Sequence, residues 1–429
     1  MEYTQSYKRY LEQGRQIFTD SRSIITDGVF LALHGKHFDG NEYALEAIEK
    51  GAAYAIVDRK IHNDPRLILV EDTLKELQSM ALLNRRINKA KIIAITGSNG
   101  KTTTKELSLS IFKLAYNCIA TQGNFNNHIG VPLTLLRIKE ETDYAIIEMG
   151  ANQSGDIKEL CNIAEPEIGL ITNIGKAHLE GFGSLNRVVK AKMELFDFLI
   201  EHHGVCVYNM YSEQIKQLFQ DKSNSISFGD ISQEAEYHGA LLHSFPAIAM
   251  KFSNNHEEIK LHSSLFGEYN YQNILAAATL ASICNIHIQQ IQEGVANYVP
   301  GNMRSQIIHK DSNTIIMDAY NANPSSMNEA IGIFDQMDFK TKWILLGEMA
   351  EMGNQKESEH RELLNLVKTK NFDKKVLIGK AYEIYQNETG MLFFENVLEC
   401  KKWLDINWPK ETAILIKGSR SSYLEKLIH

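Results

Sequence analysis

Apolar runs separated by glycine-rich or polar segments recur along the whole chain. In residues 1–88 the runs are short: "GVFLAL", "AYAIVD" and "LILVE", divided by helical stretches such as "NEYALEAIEKGA". Gly51 stands where a helix C-cap glycine belongs. "TLKELQSMALLNRRINKA" reads as a helix leading to a new start. A second block, 89–298, opens with the strand "KIIAIT", a glycine loop and the helical "KELSLSIFKLAY", then continues through "YAIIEMG", "IGLITNIG" and "VCVYN". A third, 299–429, alternates regularly: "TIIMDAY", "KWILLGE", "KVLIGK" and "AILIKGS" are each followed by a helical segment. Apolar strands alternating with amphipathic helices predict an α/β chain whose parallel sheets are covered on both faces.

Composition narrows the function more than the fold. The 429 residues suit two to four domains, and seven prolines with no low-complexity segment or repeat imply packed domains with short connections. Apolar residues make up 44% and charged residues 23%, ordinary for a globular chain. A formal net charge of -8, with no Lys/Arg-rich run, argues against a nucleic-acid partner but not against an anionic small molecule. The five cysteines are scattered with no CxxC pair, as in a cytoplasmic protein with reduced thiols. The N-terminus "MEYTQSYKRYLEQGRQ" lacks the apolar core of a signal peptide, and no run reaches the roughly 18 residues of a membrane span.

The strongest local signal is "IIAITGSNGKTTTKE", residues 92–106. A buried strand ends at Thr96, Gly97, Ser98, Asn99 and Gly100 form a loop, and a helix begins at Lys101 and Thr102, with Thr103 behind them. Backbone amides and a helix N-terminus cradle phosphate oxygens. Lysine adds charge at the β/γ-phosphates, and the threonine hydroxyl can ligate Mg²⁺. Glu148 closes "YAIIE" and His178 follows "LITNIG", both at carboxyl ends of predicted parallel strands, where open α/β sheets place ligands. Together they suit Mg²⁺; separately they read as a solvated strand end and a loop histidine. Lys190 and Lys192 read locally as a solvated helix face. Asp318 ends another apolar strand and suits either a ribose contact or an N-cap.

Two loops are dense in asparagine. "GNFNNHIGVPLTLL" carries Asn124, Asn126 and Asn127, and "DAYNANPSSM" carries Asn321 and Asn323. A turn needs one such residue, so the surplus amides read as donors and acceptors aimed at an extended polar ligand, with an Asx-rich turn as the plainer alternative. "IGVPLTLL" is expected to anchor the first loop as a helix.

"TGSNGKTTT", "GNFNNHIGVPLTL", "EMGANQSGDI", "TNIGKAHLEGFGS", "AKME", "DAYNANPSSM", "LGEMAEMG" and "KGSR" occur in that order, and together the chain resembles the Mur ligases over nearly its whole length. "TDSR" and "GVFLALHGKHFDGNEY" extend the likeness to the first block. The resemblance implies three domains. An N-terminal α/β domain (1–88) binds the UDP-linked substrate. A central P-loop ATPase domain (89–298) follows. A C-terminal Rossmann-like domain (299–429) binds the incoming dipeptide and closes on ATP. It implies ATP-dependent amide ligation in peptidoglycan precursor synthesis, joining D-alanyl-D-alanine to a UDP-N-acetylmuramoyl-tripeptide through an acyl phosphate, by a cytoplasmic monomer.

It also implies roles. Ser21 and Arg22 would contact the uridine nucleotide, with Asp39 and Gly40 shaping that pocket. Gly97 to Thr103, Asn273, Arg304 and Asp318 would contact ATP, while Thr102, Glu148 and His178 would hold Mg²⁺. Lys192 would be the lysine this family carbamylates, its carbamate joining the Mg²⁺ ligands, and with Lys101 and His178 would serve catalysis. Asn124, Asn126 and Asn127 would line the peptidyl path; Asn321, Asn323 and Ser325 would lie beside the dipeptide. Other amide ligases of the superfamily and a regulatory P-loop NTPase are the rival readings. "DAYNANP" and the first block disfavour the former. Phosphate release that needs both a carboxylate and an amine substrate separates a ligase from the latter.

Overall fold

A computed structural model describes residues 3–35, 38–175, 182–212, 215–216, 224–254, 257–301 and 303–428. Three larger sheets divide the chain. The first is parallel, with strands in the order Ile17–Phe18, Val29–Leu31, Tyr54–Val57, Leu67–Leu69. Gly51 follows the helix Ala44–Glu49 at φ +118°, its amide donating to the Ile48 carbonyl (3.1 Å). The helix Thr73–Ile87 starts at Asp72, whose carboxylate accepts from the Lys75 amide (2.9 Å). It packs on Gly130–Leu136 of the next block, so Tyr7, Tyr10 and Leu77 share one core with Val131 and Leu135.

The second sheet has nine strands among the described residues. In spatial order, Cys118–Ala120, Tyr144–Glu148, Lys91–Thr96, Ile168–Ile171, Val205–Asn209, Ser225–Asp230 and Tyr237–His243 are parallel neighbours. Ala249–Ser253 and Glu258–His262 then extend the sheet antiparallel. Both faces are covered. Ile93 and Ile95 pack with Leu107, Ile274 and Val295 of helices on one side. Ile92 and Ala94 pack with Leu135, Ile157 and Leu195 of helices on the other. This alternation within a wholly apolar strand is what a doubly covered parallel sheet requires.

The third sheet runs Gln306–Lys310, Asn313–Asp318, Ala413–Lys417, Lys342–Gly347, Lys374–Ile378, Leu392–Phe394, parallel except for its first pair. Thr96, Glu148, Asp318 and Lys417 are the last residues of their strands, so carboxyl ends from two sheets supply the polar groups of one region. No helix among the described residues is long and apolar enough to cross a membrane.

Candidate active site

The loop after Lys91–Thr96 is pinned by the neighbouring strand end. The Ser98 amide donates to the Asn173 carbonyl (3.0 Å), the Asn99 amide to Asn173 Oδ1 (2.9 Å), and Thr172 Oγ1 to the Asn99 carbonyl (2.6 Å). Gly97 and Gly100 hold φ +148° and +80°. A Cβ on the first would fall 1.9 Å from Thr172 Oγ1, and on the second 2.2 Å from Asn273 Oδ1, so only glycine fits either place. The helix Lys101–Phe112 then opens its N-terminus onto a cleft of about 960 Å³. Lys101 Nζ is folded onto its own loop, donating to the carbonyls of Gly97 (2.6 Å) and Ser98 (3.1 Å). Burial lowers its pKa, aided by Arg304 and opposed by Glu148 and Glu351.

Thr102 Oγ1 donates to Glu148 Oε2 (2.9 Å), and Asn126 Nδ2 donates to Glu148 Oε1 (2.8 Å). Glu148 is buried, 2% exposed. A hydroxyl and a carboxylate this close are hard oxygen donors of the kind magnesium takes, so these residues fit that ion. His178 lies outside the described residues. Lys192 is buried at 2% exposure and is not on the cleft wall. Burial, then the Lys101 charge, push its amine down to about 7, against the pull of Asp156, Glu194 and Glu148. The solvated helix face that its local sequence suggested is thus corrected: this position of the helix Leu185–Glu201 points inward.

The asparagines divide their work. Asn124, Asn126 and Asn127 all line the cleft. Asn127 Oδ1, however, accepts from the amides of Ile129 (3.1 Å) and Gly130 (2.9 Å) as the chain enters the helix Gly130–Leu136. Its carbonyl is a helix-entry acceptor, as in the plainer reading. Asn323 likewise caps Pro324–Gln336 in a capping box with Ser326, while its Nδ2 donates across the cleft to Asn99 Oδ1 (2.7 Å). Asn321 lines the cleft, its Oδ1 accepting from the Ala322 amide (2.9 Å). Ser325 is off the cleft wall, with Oγ 3.3 Å from where a Gly175 Cβ would sit.

From the third sheet, the Arg304 guanidinium stacks 3.7 Å from the Tyr320 ring centroid, and its buried Nε has no hydrogen-bond partner among the described residues. An orphaned guanidinium donor facing a cleft beside Lys101 fits an anionic ligand. Asp318 is ion-paired to Lys417 and also accepts from the Ser305 amide (3.3 Å). Lys417 was missed by the sequence reading: it ends the apolar run "AILIK", and only the parallel register sets it opposite Asp318. Asn273 holds Gly100 and Thr104, its Oδ1 accepting from Thr104 Oγ1 (3.3 Å).

Ser21, Arg22, Asp39 and Gly40 do not line this cleft. Arg22, 88% exposed, pairs with Asp20 (2.8 Å), which holds that carboxyl down at about 2. Asp39 pairs with Arg59 (3.0 Å) and accepts from the Asn41 amide (2.9 Å); the Gly40 amide donates to the Leu33 carbonyl (2.9 Å). Asn41 also donates to Asp58 (2.8 Å), a partner the sequence reading missed because "VDR" resembles any strand end.

A strand-ended phosphate loop opening onto a cleft shared with another α/β lobe is a nucleotide-binding arrangement, and the comparisons place it among ligases. Residues 95–281 match the Mur ligase middle domain and 303–420 the Mur ligase glutamate ligase domain. The chain belongs to the Mur ligase family. Its relatives include the UDP-N-acetylmuramoyl-tripeptide–D-alanyl-D-alanine ligases of Bacillus subtilis, 33% identical across 96% of this chain and 92% of the relative, and of Escherichia coli, 32% identical across 96% and 92%. The crystal structure of MurF from Acinetobacter baumannii is similar at TM-score 0.87 and 29% identity, covering 96% of this chain and 92% of that one.

Proposed function

We propose that the chain joins D-alanyl-D-alanine to a UDP-N-acetylmuramoyl-tripeptide, with ATP converted to ADP and phosphate. The carrying observation is the cleft itself: Lys101 and Thr102 of the phosphate loop face Arg304 and Asn323 of another lobe. The names of its relatives, matched nearly end to end, support this substrate pair.

The acceptor carboxylate attacks the γ-phosphorus to give an acyl phosphate and ADP; the dipeptide amine then attacks the acyl carbon and phosphate leaves. Anions crowd this reaction. Lys101 and Arg304 set positive charge against the phosphates where charge develops. Thr102 and Glu148, with His178, would hold magnesium, which when bound screens phosphate and carboxylate oxygens from one another. Asp318, ion-paired to Lys417, and Asn273, wedged under Gly100, shape the nucleotide end. A buried Lys192 with a depressed pKa has the neutral amine needed to take up CO₂, becoming an anionic carbamate. Asn124 and Asn126 would face the peptidyl acceptor. Asn321, Asn323 and Ser325 would sit near the dipeptide; Ser21, Arg22, Asp39 and Gly40 would hold the uridine nucleotide. Three sheets in sequence support the domain division 1–88, 89–298 and 299–429.

The test is a ligation assay with UDP-muramoyl peptides and a panel of amines. ATP-dependent product from the tripeptide and D-alanyl-D-alanine is expected. Phosphate release that needs neither substrate, or preference for a free diamino acid, overturns the reading.

A further inference from the structure

Four Lys and Arg side chains line the cleft among the described residues: Lys101, Arg304, Lys417 and Arg420. The first two face the phosphate loop, and Lys417 is buried and neutralised by Asp318. Arg420, from the "KGSR" segment, is left without a role. We infer that Arg420 binds the terminal carboxylate of the incoming dipeptide and sets the enzyme's demand for a free acid there. The inference rests on the functional reading above.

Arg420 begins a short turn just past the strand Ala413–Lys417, at the carboxyl end of the third sheet. Ser419 fixes that turn: its amide donates to the Glu348 carbonyl (3.0 Å), and its Oγ accepts from the Ala350 amide (2.8 Å). The side chain is 49% exposed and therefore reachable. One guanidinium nitrogen is committed, since Nη1 donates to Glu425 Oε1 (2.7 Å) and lies 3.3 Å from the Met303 sulfur. Neither Nε nor Nη2 donates to a described residue. Glu425 therefore holds the fork by one arm and leaves its other edge open. A planar Nε/Nη2 edge matches a carboxylate through two parallel hydrogen bonds. A carboxylate entering a cleft that already gathers phosphates needs a cation of its own, and the other three are spoken for.

The experiment compares D-alanyl-D-alanine with its C-terminal amide as amine substrate, for the unaltered protein and for Arg420→Ala, with KM measured for every substrate. The unaltered protein is expected to use the acid about 10–100-fold better than the amide in kcat/KM. Arg420→Ala should raise the dipeptide KM by a similar factor, lose the acid-over-amide preference, and keep KM for ATP and for the UDP-linked acceptor. Equal use of acid and amide by the unaltered protein overturns the inference without any variant. So does an unchanged dipeptide KM in a folded Arg420→Ala, or an equal rise in the KM for ATP. If the unaltered protein forms no product from either amine, the functional reading falls and takes the inference with it.

Discussion

Burial lowers the pKa of two lysines near this site, Lys101 and Lys192, but their polar surroundings differ. Lys101 sits at the loop with its ammonium spread over two carbonyls, a resting partner set that an anion can replace. Lys101→Ala should lower turnover by about 10²–10³-fold with the circular dichroism spectrum unchanged; loss of folding instead would show the lysine to be structural. Lys192 is buried, and its amine near 7 is half neutral at about that pH. Protonation below that pH removes the form that reacts with CO₂. Activity in CO₂-depleted buffer should therefore fall as pH drops through 7 and recover with added bicarbonate. Lys192→Ala should lose most activity and regain part of it with acetate; full activity without additive would leave the residue no catalytic part. Arg22→Ala should raise the KM of the UDP-linked acceptor and leave that of ATP unchanged, because Arg22 lies off the central cleft.

At the scale of elements, the apolar strands were readable because parallel strands buried on both faces need unbroken runs. "KIIAIT", "YAIIE" and "VCVYN" became strands at Lys91–Thr96, Tyr144–Glu148 and Val205–Asn209. The strands at Ala249–Ser253 and Glu258–His262 escaped notice because one side of each is wet. Their residues alternate, as in "EIKLH" where Leu261 is buried and its neighbours are exposed. That is the antiparallel, period-two signature rather than the continuous one. Asparagine is hard to assign from sequence for a related reason. Sequence shows that an amide is present but not which of its two ends the backbone has taken. Asn127→Ala should therefore cost about 1 kcal/mol of stability through the lost helix-entry acceptor, measured by urea unfolding. Asn126→Ala should instead raise the acceptor KM, since its amide lies against Glu148. A stability change without a KM change at Asn126 would place both residues on the structural side. The ion pair of Asp318 and Lys417 lay in the register of two adjacent strands, information that a linear reading holds only once the strand order is known.

At the scale of the whole molecule, the first and second lobes share one apolar core, while the second and third meet both through polar side chains at the cleft and through Phe245 and Phe266, which pack into the core of the third. The first lobe should accordingly move with the second, and motion of the third should pivot on the Phe245 and Phe266 contacts. Among the described residues, one side-chain hydrogen bond, Asn323 to Asn99, ties the third lobe to the phosphate loop. An amide pair of this kind is worth about 0.5–1.5 kcal/mol, so alone it favours the joined arrangement by only about 2–12-fold. Nucleotide arriving at the loop and dipeptide arriving from the far wall would each outweigh it. The bond is strong enough to bias this edge of the cleft toward closure and weak enough to break between turnovers. Asn323→Ala should then slow the approach to steady state after mixing with ATP more than it slows the steady state itself, in a stopped-flow record of lobe motion. An unaltered onset would mean that alignment is set elsewhere. The consequence is one of timing: because a reversible amide contact closes the third lobe onto the phosphate loop, that edge of the cleft can let spent nucleotide go while the Phe245 and Phe266 contacts keep the lobes together.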